Sequence, residues 1–169
     1  MITLGIDPGY ERLGIAVVEK DSKEKLLYSD CFKTKSSIPH HERLHLIGSE
    51  LEKIIKKFKP NNLAIETLFL TSNHKTVMTV SEARGVMLYT ASKNGLEVFE
   101  YGPGQIKVAV TGNGRADKNS VIKMIPLLIK VDKDIKHDDE YDAIAVALTH
   151  IACNPQPWLL QIKKNVDKK

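Results

Sequence analysis

Three β-type runs fill the first 34 residues: 2–7, 13–20 and 26–34, each rich in β-branched and apolar side chains. Only turn-like segments join them, Pro8-Gly9-Tyr10-Glu11-Arg12 and Asp21-Ser22-Lys23-Glu24-Lys25. Parallel neighbours need a crossover of about a dozen residues or more, so links this short dictate an antiparallel meander. The pattern then changes period. Leu44, Ile47, Leu51, Ile54 and Ile55 recur at helical spacing and predict a helix over about 40–58, entered after Pro39 and ended by Pro60-Asn61. A strand at 62–67, a helix at about 73–93 with Val77, Val80, Ala83, Met87 and Ala91 on one side, and a strand at 96–100 follow. Short helices near 103–110 and 117–130 flank a Gly-rich turn at 112–114, and a last helix covers 139–152 before Pro155 and Pro157 break the chain. A meander followed by strand–helix alternation gives an α/β fold. Its sheet is five-stranded and mixed, an antiparallel meander plus parallel strands, with helices on both faces.

With 169 residues, 42% hydrophobic and 27% charged, the chain is expected to form one domain with a real core. That domain is placed at 1–158, followed by a basic, flexible tail at 159–169. Cys31 and Cys153 make no disulfide framework and no Cys/His ligand pattern, and read as buried thiols in a reducing compartment. No apolar run approaches a membrane span, and the N-terminal run turns acidic too soon for a secretory leader, so a soluble cytoplasmic protein is expected. Net charge is +4, but Lys163, Lys164, Lys168 and Lys169 against Asp167 supply +3 of it. The body is therefore close to neutral, which suits an acidic pit within a basic surface.

Three separated segments carry acids where an apolar element ends or begins. Ile2–Asp7 finishes on Asp7 before Pro8-Gly9, Leu63-Ala64-Ile65 finishes on Glu66, and Asp138, Asp139 and Asp142 open the last apolar helix. If the first and fourth strands are neighbours, Asp7 and Glu66 project into one crevice. On a helix, residues three and four apart lie about 60° and about 40° apart around the axis, so either Asp138 or Asp139 can share a face with Asp142. Each acid has a plainer role open to it: a turn start, a solvated strand end, or charge complementing a helix N-terminus for roughly 0.3–1 kcal/mol. A shared pit accounts for all three segments at once. Several carboxylates together resist ionisation, and cations remove the conflict. All-oxygen donors select Mg²⁺, with Mn²⁺ as substitute, over zinc. Two such ions about 4 Å apart can activate water and stabilise the leaving oxygen of a phosphodiester. No G-x-S-x-G, P-loop or H-E-x-x-H motif offers another chemistry.

Gly5-Ile6-Asp7-Pro8-Gly9, Ala64-Ile65-Glu66, Ala83-Arg84-Gly85-Val86, Phe99-Glu100-Tyr101, Gln105-Ile106-Lys107, Gly112-Asn113-Gly114-Arg115-Ala116-Asp117-Lys118 and Asp139-Glu140-Tyr141-Asp142-Ala143 occur in this order. Together they resemble the RuvC family of bacterial Holliday-junction resolvases over nearly the whole chain. The resemblance implies an RNase H-like fold and a Mg²⁺-dependent endonuclease that nicks two strands of a four-way DNA junction symmetrically, as a homodimer, in recombination and repair. It implies two ions per site and partnership with the branch-migration proteins RuvA and RuvB. It places catalytic and metal-binding acids at Asp7, Glu66, Asp139 and Asp142, the family's D-x-x-D spacing selecting Asp139 over Asp138. His137 is a lesser candidate for that third position. DNA contacts fall on Lys107 and Lys118, joined by Arg115, and on Phe69, an aromatic for stacking on an unpaired base at ~1–3 kcal/mol. Tyr10, Leu13 and Ser81 depart from the family's usual residues without removing a catalytic group. Helix 73–93 is the expected subunit contact, its apolar face with Ala83 and Gly85 allowing close approach. The competing functions are a module that binds branched DNA without cutting it, a RuvC-like RNase, and an ATP-binding protein of the actin and sugar-kinase type. The last of these needs a second domain for which 169 residues leave no room.

Overall fold

The computed structural model describes residues 1–68 and 74–154. Its elements run β1 (Ile2–Asp7), β2 (Arg12–Lys20), β3 (Glu24–Lys33), α1 (His40–Phe58), β4 (Asn62–Glu66), α2 (His74–Lys93), β5 (Glu97–Tyr101), α3 (Pro103–Thr111), α4 (Lys118–Leu128) and α5 (Asp138–Cys153). The strands form one five-stranded sheet in the order β3-β2-β1-β4-β5. β1, β2 and β3 pair antiparallel, while β4 and β5 continue the sheet parallel to β1. The expected mixed sheet is therefore present. The β2–β3 hairpin is tighter than expected. Glu24 and Lys25 belong to the ladder, and Lys20, in register with Glu24, pairs with it at 2.5 Å. Opposite charges facing each other across strands favour such extra pairing.

Successive strand residues point to opposite faces, and this sheet divides large from small side chains between them. Leu4, Ile6, Leu13, Ile15, Val17, Leu63 and Ile65 pack with Ile47, Leu51, Ala83 and Met87 in one core under α1 and α2. Ala16, Val18 and Ala64 pack on the other face with Ala143, Ile144, Ala147 and residues of α3 and α4. With both faces covered, β1 and β4 read as near-continuous apolar runs. Ala83, Met87 and Ala91 are no more than 1% exposed within the first core. The apolar side of α2, Ala83 included, thus holds the helix on its own sheet, which corrects the expectation that this side meets a second subunit and leaves only the opposite side of the helix open. Burial of those residues outweighs leaving them for a partner.

At its far end α5 is pinned by a buried polar cluster. The His150 ring nitrogens lie 3.1 Å from Asn62 Nδ2 and 2.9 Å from the Tyr101 hydroxyl, and Asn154 Nδ2 donates to that hydroxyl at 3.0 Å. Burial pushes the His150 pKa below its ordinary value, so the neutral ring can serve as an acceptor here. No described helix is long and apolar enough to cross a membrane.

Candidate active site

Two glycines decide where α5 lies. A Cβ on Gly5 would stand 2.4 Å from the Ala143 carbonyl oxygen and 2.7 Å from the Ala147 Cβ. A Cβ on Gly14 would stand 2.0 Å from the Asp139 carbonyl oxygen and 3.1 Å from the Asp7 Cβ. Without those atoms the main chain of α5 lies directly on β1 and β2, and its acidic first turn comes down beside the end of β1. There Asp7 is in register with Gly14. On the other side of β1, Ile6 is in register with Ile65, so Glu66 ends the neighbouring parallel strand level with Asp7. The sheet and one close helix contact therefore gather carboxylates from the two ends of the chain.

Their electrostatics report that proximity. The Asp7 pKa is raised to about 8, first by burial and then by the charges of Asp142, Glu66 and Asp139. Glu66 is raised by burial and by Asp142, against the nearby Lys118 and Lys107. Burial raises Asp142 as well, opposed by its bond to Lys118. Among the described residues, no three His, Cys, Asp or Glu side chains stand ready-made as a metal-ligand group. Protein cations hold the α5 acids instead. Lys118 Nζ lies 2.6 Å from Asp138 and 2.9 Å from Asp142, and Arg12 Nε lies 3.3 Å from Asp139.

The same contacts separate Asp138 from Asp139. Asp138 faces Lys118 with 41% of its side chain exposed, and that bond holds its pKa down to about 2. Asp139 is 15% exposed, and its charge acts on Asp7. His137 precedes α5 and turns to Lys33, its Nε2 2.6 Å from the Lys33 ammonium. The donor set around Asp7 is then all carboxylate oxygen, several of its members held above their ordinary pKa by burial and mutual repulsion. Such a set fits a hard divalent cation, which relieves that repulsion.

Beside the pit, Glu66, Pro103, Ile106, Lys107, Lys118, Val121 and Asp142 line a cleft, so both sequence-predicted lysines border the acids. Lys118 is placed at the first turn of α4, whose N-terminus Asp117 caps by accepting from the Ser120 amide at 2.7 Å. Arg115 does not line this cleft. It is exposed on the turn before α4, its amide bonded to Asn113 Oδ1 at 3.0 Å. Phe69 lies outside the described residues. Sequence reasoning treated Arg12 as part of a turn and missed its pairing with Asp139. The usable signal was its position: the first residue of β2 emerges at the same sheet end as Asp7.

A family model described as crossover junction endodeoxyribonuclease RuvC matches residues 3–150. The chain belongs to the RuvC family. It is 44% identical over 155 residues to the crossover junction endodeoxyribonuclease RuvC of Brachyspira hyodysenteriae, covering 91% of this chain and 96% of that one. It is 42% identical over 164 residues to the RuvC of Finegoldia magna, covering 96% and 100%. The structure of T. thermophilus RuvC in complex with a Holliday junction substrate superposes with a TM-score of 0.84 at 32% identity, over 90% of this chain and 94% of that chain. The yeast mitochondrial Holliday junction resolvase Ydc2 matches with a TM-score of 0.66 at 14% identity, a likeness of fold alone. The fold is the RNase H-like one of RuvC, and the chain is a crossover junction endodeoxyribonuclease by family. The RNase and ATP-binding alternatives are set aside.

Proposed function

We propose that this RuvC-family chain cuts four-way DNA junctions by Mg²⁺-assisted phosphodiester hydrolysis at Asp7, Glu66, Asp139 and Asp142, working as a homodimer. One observation carries the reading. Asp7 stands half-buried at a strand end, its pKa raised to about 8 by desolvation and by three further acids drawn from β4 and α5. A cluster so costly to ionise has a physical use where divalent cations bind. When bound, two such ions supply an activated water and stabilise the leaving oxygen of the phosphodiester. The protein's part is positional. β1 and β4 fix Asp7 and Glu66 through paired backbone, and α5 fixes Asp139 and Asp142 through its contact with Gly5 and Gly14. Of the two adjacent acids, Asp139 suits ligation, since Asp138 is committed to Lys118 and solvent.

Lys107 and Lys118 face the cleft that leads to the pit, and each can hold a DNA phosphate there. For Lys118 this means exchanging Asp138 and Asp142 for the phosphate, so the same lysine balances the acids before DNA arrives. Arg115 lies outside the cleft and is left as a contact to more distant backbone. Phe69 keeps its proposed stacking role, the nuclease domain its span of 1–158, and residues 159–169 their role as a basic tail. RuvA and RuvB remain the partners expected from the family.

Paired cuts need two sites related by a two-fold axis. The surface of α2 offers a stripe for it, on the side away from the core. Met78 is 64% and Tyr89 68% exposed, and nothing lies within 4 Å of a Cβ built on Gly85 between them. Large apolar side chains flanking a glycine suit the close approach of a second copy.

The test is incubation of the purified protein with a synthetic four-way junction and Mg²⁺, with a linear duplex of the same sequence as control. Symmetric paired nicks in the junction alone are expected. Asp7→Asn, Glu66→Gln and Asp142→Asn should each abolish nicking while junction binding persists, because binding is mostly phosphate electrostatics. Full cleavage by any of the three removes that acid from the mechanism.

A further inference from the structure

The acids at the start of α5 are held from two sides. Lys118 takes Asp138 and Asp142. Across the helix turn, Arg12 takes Asp139: its Nε is 3.3 Å from Oδ2, and a terminal nitrogen of the same guanidinium is 4.0 Å from Asp138 Oδ1. The partners of this second pair differ in freedom. The Asp139 side chain is 15% exposed and the Arg12 side chain 51%. The carboxylate is fixed beside Asp7 by the helix contact at Gly14, whereas the guanidinium can leave. A cleft bounded by Tyr10, Arg12, Thr79, Val80 and Asp139 gives it somewhere to go. The other neighbour of Asp139 Oδ2 supplies no charge: Cys31 Sγ lies 3.9 Å away, its thiol pushed up to about 11 by burial and by Asp139 itself.

We propose that Arg12 is a positioning residue that holds Asp139 in the metal-free protein and competes with the incoming divalent cation for that carboxylate. The inference rests on the reading of the pit as a metal site. A guanidinium bound to Asp139 Oδ2 occupies one of the oxygens a cation would use, and its charge opposes that of the cation. An ion that takes Asp139 through Oδ2 has to break the Arg12 pair, and one that takes it through the other oxygen still meets the opposing charge of the guanidinium. Because the pair is half-exposed, its strength is that of a surface ion pair, and the competition is correspondingly modest. Such a pair suppresses ligation of Asp139 at low metal concentration and yields at higher concentration. It also stops the four acids from repelling one another fully when no metal is present.

The experiment is calorimetric titration of Mn²⁺ into the full-length protein without DNA. The variants are Arg12→Ala, Asp139→Asn, the double variant Arg12→Ala/Asp139→Asn, and Asp7→Asn. Arg12→Ala is expected to bind Mn²⁺ about two- to fivefold more tightly than wild type. In the Asp139→Asn background the same Arg12 change should leave affinity unaltered, since the competition has no object. Unchanged or weakened binding in Arg12→Ala overturns the proposal. Equal tightening in both backgrounds also overturns it, because Arg12 would then act only as a diffuse charge. Asp7→Asn separates the two levels of the argument. If it abolishes Mn²⁺ binding while Arg12→Ala is silent, the pit stands and the competition falls. If it leaves binding untouched, both fall.

Discussion

Gly14→Ala places one methyl group where the main chain of α5 already runs. The new Cβ would stand 2.0 Å from the Asp139 carbonyl oxygen and 2.7 Å from its carbonyl carbon, against ordinary contacts of 3.4 Å or more. The first turn of α5 must therefore retreat by about 1.4 Å, the difference between 3.4 and 2.0 Å. Backbone meets methyl here, so no side-chain rotation relieves the clash. Overpacking of this kind costs about 1–3 kcal/mol, which lowers Tm by roughly 2–12 °C in a chain of this size. The larger effect falls on chemistry. A displacement of about 1 Å in catalytic groups costs on the order of 100-fold in rate, and the helix that moves carries Asp139 and Asp142. The assay is single-turnover cleavage of a four-way junction in Mg²⁺ at a temperature where both proteins are folded, with Tm measured alongside. Gly104→Ala is the stability control, since nothing lies within 4 Å of the added Cβ, and it should be neutral or stabilising by up to ~1 kcal/mol. If Gly14→Ala keeps both wild-type Tm and a rate within about twofold of wild type, α5 is not positioned as argued.

Three further outcomes follow from the site. Asp7 holds a proton in the folded state up to about pH 8 but loses it near 3.8 when unfolded, so it makes the metal-free protein less stable as pH rises through that window. Denaturant unfolding in chelator should therefore show Asp7→Asn level with wild type near pH 4 and more stable by on the order of several kcal/mol near pH 8, and a constant difference across that range would refute the burial argument. Lys118→Ala should slow cleavage, flatten the salt dependence of junction binding by about one unit of slope, and leave folding intact; an unchanged rate and slope would remove Lys118 from the DNA path. Tyr89→Glu, on the exposed stripe of α2, should turn a dimer into a folded monomer in sedimentation, and an unaltered dimer would move the interface elsewhere.

Much of this architecture was legible in the chain because local signals agreed with the global fold. Short turn links forced the meander, Leu44 through Ile55 marked α1 to within its observed ends, and Asp7 and Glu66 were readable as strand-terminal acids. Harder to read was anything set by contact between distant elements. The apolar side of α2 has one pattern whether it meets a sheet or a second subunit, and only the packing of Ala83 and Met87 with Ile47 and Leu51 decides the matter. Gly5 and Gly14 looked like ordinary strand glycines, since their reason lies in the backbone of a helix more than 120 residues later. Asp138 and Asp139 were equivalent by helical geometry until Lys118 and Arg12, from two other elements, drew them apart. Arg12 itself gave no motif, because a cation that pairs with an acid 127 residues away leaves no local trace.

The most direct measurement is a crystal of the protein soaked in Mn²⁺, with data collected at the manganese absorption edge. Anomalous density enclosed by the carboxylates of Asp7, Glu66, Asp139 and Asp142, within about 2.0–2.3 Å of their oxygens, is the predicted result. Manganese absent from that pit, or bound elsewhere while Asp7 stays unliganded, would contradict it.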